Sequence, residues 1–270
     1  MTVLEALILG VVQGITEFLP VSSSGHLVLL QKIFGIGEPA LLFDILVHTA
    51  TLIAVCVVLW KDIWDILKKI IQPLTLYIII ATIPAVIAAL VFRKQINGVF
   101  SSTSLLGFFF LVTSALLVCS ELFSRKAAKT AADNKTAVTE KKMKWLDALI
   151  IGIFQAVAIV PGISRSGATL SAGLFRGLKR DFAVRFAFLL SIPAILGALV
   201  LQVKDIGKIT ESIGALPLAV GFIAAAVTGF FSVKIMLKIV RERSLFGFAV
   251  YTCVLGLIVI IDSFGTHFFL

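Results

Sequence analysis

The sequence predicts an all-α, polytopic membrane protein made of two inverted-topology repeats, each a re-entrant helical hairpin followed by three transmembrane helices. Three observations carry that prediction. The chain of 270 residues is 59% hydrophobic and 14% charged, with a mean hydropathy of +1.09, whereas soluble domains carry about 25% charged residues. Six apolar runs come close to the ~20 residues needed to cross a hydrocarbon core as a helix. Two further apolar segments are broken near their middles, at LPVSSSGH (19–26) and PGISRSG (161–167). The strict alternation of an outer-membrane barrel is absent.

The elements follow in order. Segment 1–40 has no basic n-region and carries Glu5, so it is read as a broken hairpin, not a cleaved signal peptide. Full spans are expected at 41–60, 73–92 and 104–123. The stretch 124–144, SRKAAKTAADNKTAVTEKKMK, reads as a flexible basic linker. A second broken hairpin covers 145–180, and spans follow at 182–202, 217–237 and 245–263. Neither half of a broken segment is long enough to cross alone.

The linker separates two related halves. GVVQGITEFLPVSSSG (10–25) aligns with GIFQAVAIVPGISRSG (152–167), and FDILVHTATLIAV (43–55) with FAFLLSIPAILGA (186–198). PLTLYIII at 73 aligns with PLAVGFIA at 217, and SLLGF at 104 with SLFGF at 244. The offset stays between 140 and 144 throughout, which points to duplication. With three spans per half, the second half enters the membrane inverted, and such repeats set two broken helices tip to tip near the midplane.

Charge sets the expected orientation. The loops at 61–72, 124–144 and 238–244, with the flanks of the second hairpin, hold 18 basic residues against 5 on the other side (Lys32, Arg93, Lys94, Lys204 and Lys208). The richer side is expected to be cytoplasmic, leaving both termini and the first hairpin facing out. The net charge of +9 is thus assigned to cytoplasmic loops and anionic headgroups, not to nucleic acid. Cys56, Cys119 and Cys253 lie far apart inside apolar runs and read as small buried hydrophobes.

Chemistry concentrates at the two breaks. A helix starting at a break presents unpaired N–H groups and a partial positive charge, which together favour anions and phosphate above all. The first break offers Ser22, Ser23, Ser24 and Gly25; the second offers Gly162, Ser164, Ser166, Gly167 and, a turn on, Thr169. Small residues also serve close helix packing, the alternative for either cluster alone. Arg165 adds a planar fork suited to phosphate oxygens. A snorkelling arginine is the alternative, but ionisable groups deep in a bundle are generally functional.

Gln13 and Glu17 share one helix face, four residues apart. A carboxylate there needs a cation: Arg165, protonated His26 or a divalent metal. Mg²⁺ takes few carboxylates together with substrate phosphates, so Glu17, Gln13 and a diphosphate would fit. His26, beside the serines, is a candidate base or nucleophile. Asp44 and His48 form another i, i+4 pair, either supporting the site or lining a polar channel. His267 is uninformative.

The stretches GVVQGITEFLPVSSSGH and PGISRSGAT resemble the two signature motifs of the bacterial undecaprenyl-diphosphate phosphatases, or bacitracin-resistance proteins. The first motif is met by Gln13, Glu17, Pro20, Ser22, Ser23, Gly25 and His26, and the second by Pro161, Gly162, Ser164, Arg165, Ser166, Gly167 and Thr169. The resemblance implies hydrolysis of undecaprenyl diphosphate to undecaprenyl phosphate and inorganic phosphate, which recycles the lipid carrier for cell-wall glycans. It implies Mg²⁺ or another divalent cation such as Ca²⁺, a bacterial cytoplasmic membrane, and a site opening towards the periplasm or exterior; a homodimer is left open. It implies catalytic roles for Glu17, Ser23, His26 and Arg165, with Ser22, Ser164, Ser166 and Thr169 as phosphate contacts. Gln13 departs from the glutamate many members carry and is given no proton-transfer role. Ser23 activated by His26, His26 itself and water remain alternative nucleophiles. The rival readings are a lipid-phosphate flippase on the same inverted repeat and a phosphatase for soluble substrates.

Overall fold

In hydrocarbon every backbone N–H and C=O must be satisfied by the chain itself, so apolar runs of this length fold as helices. The computed structural model describes residues 1–36, 40–92, 95, 105–133, 141–203 and 213–266, and among them it has eleven α-helices and no strand. Helices α1 (Val3–Thr16) and α2 (Ser23–Ile33) flank the first break, followed by α3 (Leu41–Val58), α4 (Trp60–Lys68), α5 (Pro73–Val91) and α6 (Leu106–Asp133). Helices α7 (Trp145–Val157) and α8 (Arg165–Phe175) flank the second break, followed by α9 (Arg180–Val203), α10 (Ala215–Glu242) and α11 (Phe246–Ile261).

Helices α3, α5, α6, α9, α10 and α11 are long and apolar enough to cross a membrane, and they fall on the six runs read from the sequence. Helix α1 has 14 residues and α7 has 13. At 1.5 Å per residue these reach only about 20 Å, short of the ~30 Å core.

Two expectations need correcting. The loop expected at 61–72 contains α4, because Trp60, Ile63, Trp64 and Leu67 recur at helical spacing along one face. Trp60, Trp64 and Leu67 are exposed, and Lys68 sits over the Trp64 ring, as suits a helix lying along a membrane surface. The linker at 124–144 is not flexible from its start, since α6 runs on to Asp133. Its alanines, lysines and arginine are strong helix formers, and Arg125 donates to Glu121 one turn back at 2.9 Å. Residues 134–140 of that linker, Arg93, Lys94, Lys204, Lys208, His267 and the first residue of the run at 104 lie outside the described residues.

Packing between the halves is reciprocal. Helix α1 lies on α10 and α7 on α5; α3 lies on α10 and α9 on α5; α6 and α11 pack on each other. Glycines allow the closest of these approaches. A Cβ on Gly10 would stand 2.4 Å from the Gly221 carbonyl oxygen, and one on Gly152 would stand 2.5 Å from that of Ala81.

At one end of the bundle, ion pairs tie the polar loops together. Asp147, fully buried, accepts from Lys141 Nζ at 2.8 Å, Arg176 Nε at 2.6 Å and the Lys144 N–H at 2.9 Å. Glu121 accepts from Arg125, from Arg180 at 2.6 Å and from the Leu245 N–H at 3.2 Å. Asp181 pairs with Arg241 and Arg185, and Arg185 reaches Asp62 at 3.3 Å. Every one of these basic residues belongs to the side counted as basic.

Candidate active site

The two breaks meet. After α1 the chain turns through Phe18–Val21, with Phe18 buried edge-on against Phe188 of α9 (ring centroids 5.4 Å apart). Ser22 then takes φ +68°, the one positive φ at a non-glycine among the described residues. Such a conformation costs on the order of 1–3 kcal/mol and persists where surrounding contacts demand it. Here the Ser22 Oγ accepts from the Gly25 N–H (3.4 Å), capping α2, and from the Gly162 N–H (3.1 Å) in the other break.

The second break turns at Gly162, with φ +94°, where a Cβ would stand 2.7 Å from Phe109 Cβ. Ser164 caps α8 by accepting from the Gly167 N–H at 3.1 Å. Thr113 of α6 donates to the Gly162 carbonyl and accepts from the Ser164 N–H, both at 2.9 Å. Ser166 reaches across to donate to the Leu19 carbonyl at 2.9 Å.

Glu17 is the hub of the junction. One carboxylate oxygen pairs with the Arg165 guanidinium. The other accepts from Ser23 Oγ at 2.5 Å and Gln13 Nε2 at 2.9 Å, and His48 Nε2 stands 3.8 Å from it. Glu17 is only 6% exposed, whereas Ser23 and Arg165 are half-buried. Two buried polar atoms beside this carboxylate, Arg165 Nη1 and Gln13 Oε1, have no hydrogen-bond partner among the described residues. Buried polar atoms are nearly always paired, so such orphans mark a place for a ligand, ion or water.

The structure redistributes several sequence expectations. Glu17, Ser23, Arg165 and Gln13 come together as expected. His26 is not hydrogen-bonded to Ser23. Its Nδ1 lies 2.7 Å from its own Ser22 carbonyl and its Nε2 2.6 Å from the Tyr251 hydroxyl. The serine's acceptor is instead the Glu17 carboxylate, because the tight turn at Ser22 swings the first residue of α2 back onto the end of α1. The N–H groups of Gly25, Gly162 and Gly167, expected to face a phosphate, are taken up within and between the caps, and that of Ser164 by Thr113 of α6. Ser24 lies against Ser22 (3.5 Å), and Thr169 donates back to the Arg165 carbonyl (2.9 Å). Asp44 accepts from Gln31 Nε2 at 2.7 Å, while His48 Nδ1 meets the Asp44 carbonyl at 2.8 Å, so that pair leads towards Glu17.

Tyr251 and Thr113 were not found from the sequence. Their partners lie 225 and 49 positions away, and both sit in the apolar part of a membrane span beside other hydroxyls. The one available signal was a hydroxyl in each of two spans that pack together. No cluster of three or more His, Cys, Asp or Glu side chains that could hold a metal occurs among the described residues. Gln13 Oε1 and Glu17 nonetheless present oxygens one helical turn apart, the sparse donor set Mg²⁺ uses when phosphates complete its shell.

Fold and junction together define a multi-pass helical membrane protein whose polar site is assembled where two broken helices meet, around a carboxylate–guanidinium pair with one donor left over. The chain belongs to the bacitracin resistance protein BacA family, whose pattern matches residues 6–258. It is 45% identical over 260 residues to an undecaprenyl-diphosphatase of Carboxydothermus hydrogenoformans, covering 95% of this chain and 96% of that one. It is 40% identical over 283 residues to an undecaprenyl-diphosphatase of Methanosphaera stadtmanae, covering 97% and 98%. An undecaprenyl-diphosphatase 4 of Bacillus thuringiensis is 41% identical over 268 residues, covering 98% and 99%.

Proposed function

We propose that this protein is an integral-membrane phosphatase, a phosphoric anhydride hydrolase that converts undecaprenyl diphosphate to undecaprenyl phosphate and inorganic phosphate. It thereby recycles the lipid carrier of cell-wall synthesis and confers bacitracin resistance. The observation that carries the proposal is the half-buried Arg165, whose Nη2 grips Glu17 while Nη1 stays free beside a serine already bonded to that carboxylate.

Each residue then has a task. Arg165 Nη1 takes an oxygen of the terminal phosphoryl group, where charge accumulates during transfer, and such fixed donors supply much of the rate in phosphoryl transfer. Ser23 Oγ attacks phosphorus and passes its proton to Glu17. The bond to the bridging oxygen breaks, releasing the lipid monophosphate and leaving phosphate esterified to Ser23. Water then attacks the same phosphorus, Ser23 Oγ leaves with the proton held on Glu17, and the water's own proton departs with inorganic phosphate. His26 steadies the strained turn by holding the Ser22 carbonyl next to the nucleophile. A divalent cation, Mg²⁺ or Ca²⁺, would be held by Glu17 and Gln13 Oε1 and would supply charge neutralisation on the diphosphate.

The prenyl chain stays in the bilayer among the exposed apolar faces of the spans. The excess of basic residues at the opposite end supports a site opening to the periplasm or cell exterior. All the groups named come from one copy of the chain, so the chemistry needs no second protomer. A flippase would need the same anion grip, but not a serine hydrogen-bonded to a buried carboxylate.

The test is phosphate release from a long-chain prenyl diphosphate by the purified protein in detergent, with and without Mg²⁺. Metal-dependent release, with ³²P from terminally labelled substrate trapped on Ser23 after acid quench, is expected. Release without any phosphoenzyme would replace the serine step by direct attack of water. Lipid movement without release would replace the phosphatase by the flippase.

A further inference from the structure

Outside the two breaks, one polar contact reaches the site from a helix that contributes nothing else to it. Tyr251 lies in α11, a helix with mean span hydropathy 2.0, and its hydroxyl stands 2.6 Å from His26 Nε2. The two rings are stacked with centroids 5.7 Å apart and planes 7° from parallel. Phe110 of α6 also packs against the imidazole, edge-on with centroids 5.5 Å apart. His26 itself is 7% exposed, whereas Tyr251 is 47% exposed and forms part of the bundle's outer surface.

The hydrogen bonds fix which atom carries which proton. The partner of Nδ1 is the Ser22 carbonyl, which can only accept, so Nδ1 carries the hydrogen. In the neutral ring Nε2 is then an acceptor, and the Tyr251 hydroxyl donates to it. Without that donor, the buried Nε2 would lack a partner, and the opposite tautomer would turn the Ser22 carbonyl's donor into a second acceptor. That carbonyl belongs to the residue held at φ +68°, and the next residue is Ser23.

We propose that Tyr251 is a positioning residue: its hydroxyl holds His26 in the Nδ1–H tautomer, His26 holds the Ser22 carbonyl, and Ser22 aims Ser23. The line runs from the membrane-facing surface of the second half to the nucleophile of the first. It rests on the phosphatase reading only in naming Ser23 the nucleophile; the tautomer claim stands on geometry alone.

Tyr251→Phe is the informative variant, because it keeps the stacked ring and removes only the hydroxyl. Two readouts are run on wild type, Tyr251→Phe, His26→Ala and the double variant in the same detergent. In steady-state phosphate release, Tyr251→Phe is expected to lower kcat about tenfold with KM within about twofold, since misaiming a reacting group costs rate more than binding. Added to His26→Ala, it is expected to cost nothing further, because the two act in series. Losses that multiply, or a kcat within twofold of wild type, overturn the proposal. The second readout is ¹⁵N-histidine NMR, with His26 assigned by its disappearance in His26→Ala. The wild-type ring is expected to show a protonated Nδ1 and an unprotonated, hydrogen-bonded Nε2, and Tyr251→Phe is expected to shift Nε2 and mix the tautomers. An unchanged spectrum overturns the proposal even if kcat falls. If wild type releases no phosphate, the phosphatase reading falls and the spectrum still decides the role of Tyr251.

Discussion

The two breaks share a scaffold and differ in their cargo. In the alignment of the halves, Ser22 stands opposite Ser164, Ser24 opposite Ser166 and Gly25 opposite Gly167. The structure uses these pairs alike: each first serine caps its helix by accepting from the N–H of the glycine three residues on, and each leans on the serine two residues on, at 3.5 Å and 3.2 Å. The remaining positions diverge. Glu17 faces Ile159, Ser23 faces Arg165 and His26 faces Ala168. Ser23 and Arg165 are the first residues of α2 and α8, and from opposite sides they grip the two oxygens of one carboxylate. Matched positions thus supply a hydroxyl from one half and a cation from the other. The matched residues build the junction, and the unmatched ones bring to it a carboxylate, a hydroxyl and a guanidinium.

The largest effect should come from breaking that grip. Arg165→Ala and Glu17→Ala are each expected to lower kcat/KM by about 10²-fold or more, the scale seen when a fixed electrostatic donor is lost. Stability should separate them. Arg165→Ala leaves a buried carboxylate without its cation, which costs roughly 3–5 kcal/mol, so its melting temperature should fall further than that of the double variant lacking both charges. Thermal unfolding beside phosphate release checks this. If the double variant regains both stability and activity, the pair is a structural lock and the site lies elsewhere.

Of intermediate size is the difference between the caps. Ser164→Ala removes one N-cap at ordinary φ and should cost about 1 kcal/mol. Ser22→Ala removes the equivalent cap and also the bond to the Gly162 N–H that joins the breaks, while leaving an alanine at φ +68°. It should cost about 2 kcal/mol, and Ser22→Gly should recover part of that by relaxing the backbone. Equal losses for Ser22→Ala and Ser164→Ala, measured by thermal unfolding, would mean that the bridge between the breaks carries no weight.

How much of this was legible beforehand follows from the range of each interaction. The six spans and two short hairpins are read directly, because hydropathy is a local property and a bilayer punishes any other solution. The motif residues were legible as a set, since spacing places Gln13 and Glu17 on one face and the serines at a helix start. Their pairing was not. Whether Ser23 meets His26 or Glu17 depends on a single unusual φ at Ser22, which no composition announces. Tyr251 and Thr113 were invisible because a hydroxyl in an apolar helix gains meaning only from its neighbour. Helix α4 was missed because a short amphipathic segment with five charged residues in 60–69 looks like a polar loop when only span-length runs are sought.

The smallest effect concerns the two glutamines and bears most directly on the metal. Gln13 and Gln155 are aligned, both are buried, and each leaves its Oε1 without a partner among the described residues. Their Nε2 groups diverge: that of Gln13 donates to Glu17 at 2.9 Å, while that of Gln155 reaches only the Ala81 carbonyl at 3.5 Å. An orphan oxygen on a side chain bonded to a carboxylate can help hold a cation carried in with a diphosphate; Gln155, whose amide nitrogen meets only a backbone carbonyl, has no carboxylate to share one with. Gln13→Ala should therefore raise the Mg²⁺ concentration giving half-maximal activity by about tenfold, in the range of lost metal-supporting contacts, and Gln155→Ala should leave it unchanged. Gln13→Glu, which replaces an amide oxygen by a charged one, should lower it. The titrations are read at saturating substrate, so that a change in lipid binding does not masquerade as a change in metal demand. If Gln13→Ala and Gln155→Ala shift the midpoint equally, the orphan at Gln13 is no metal contact, and the cation is held by the substrate with Glu17 alone.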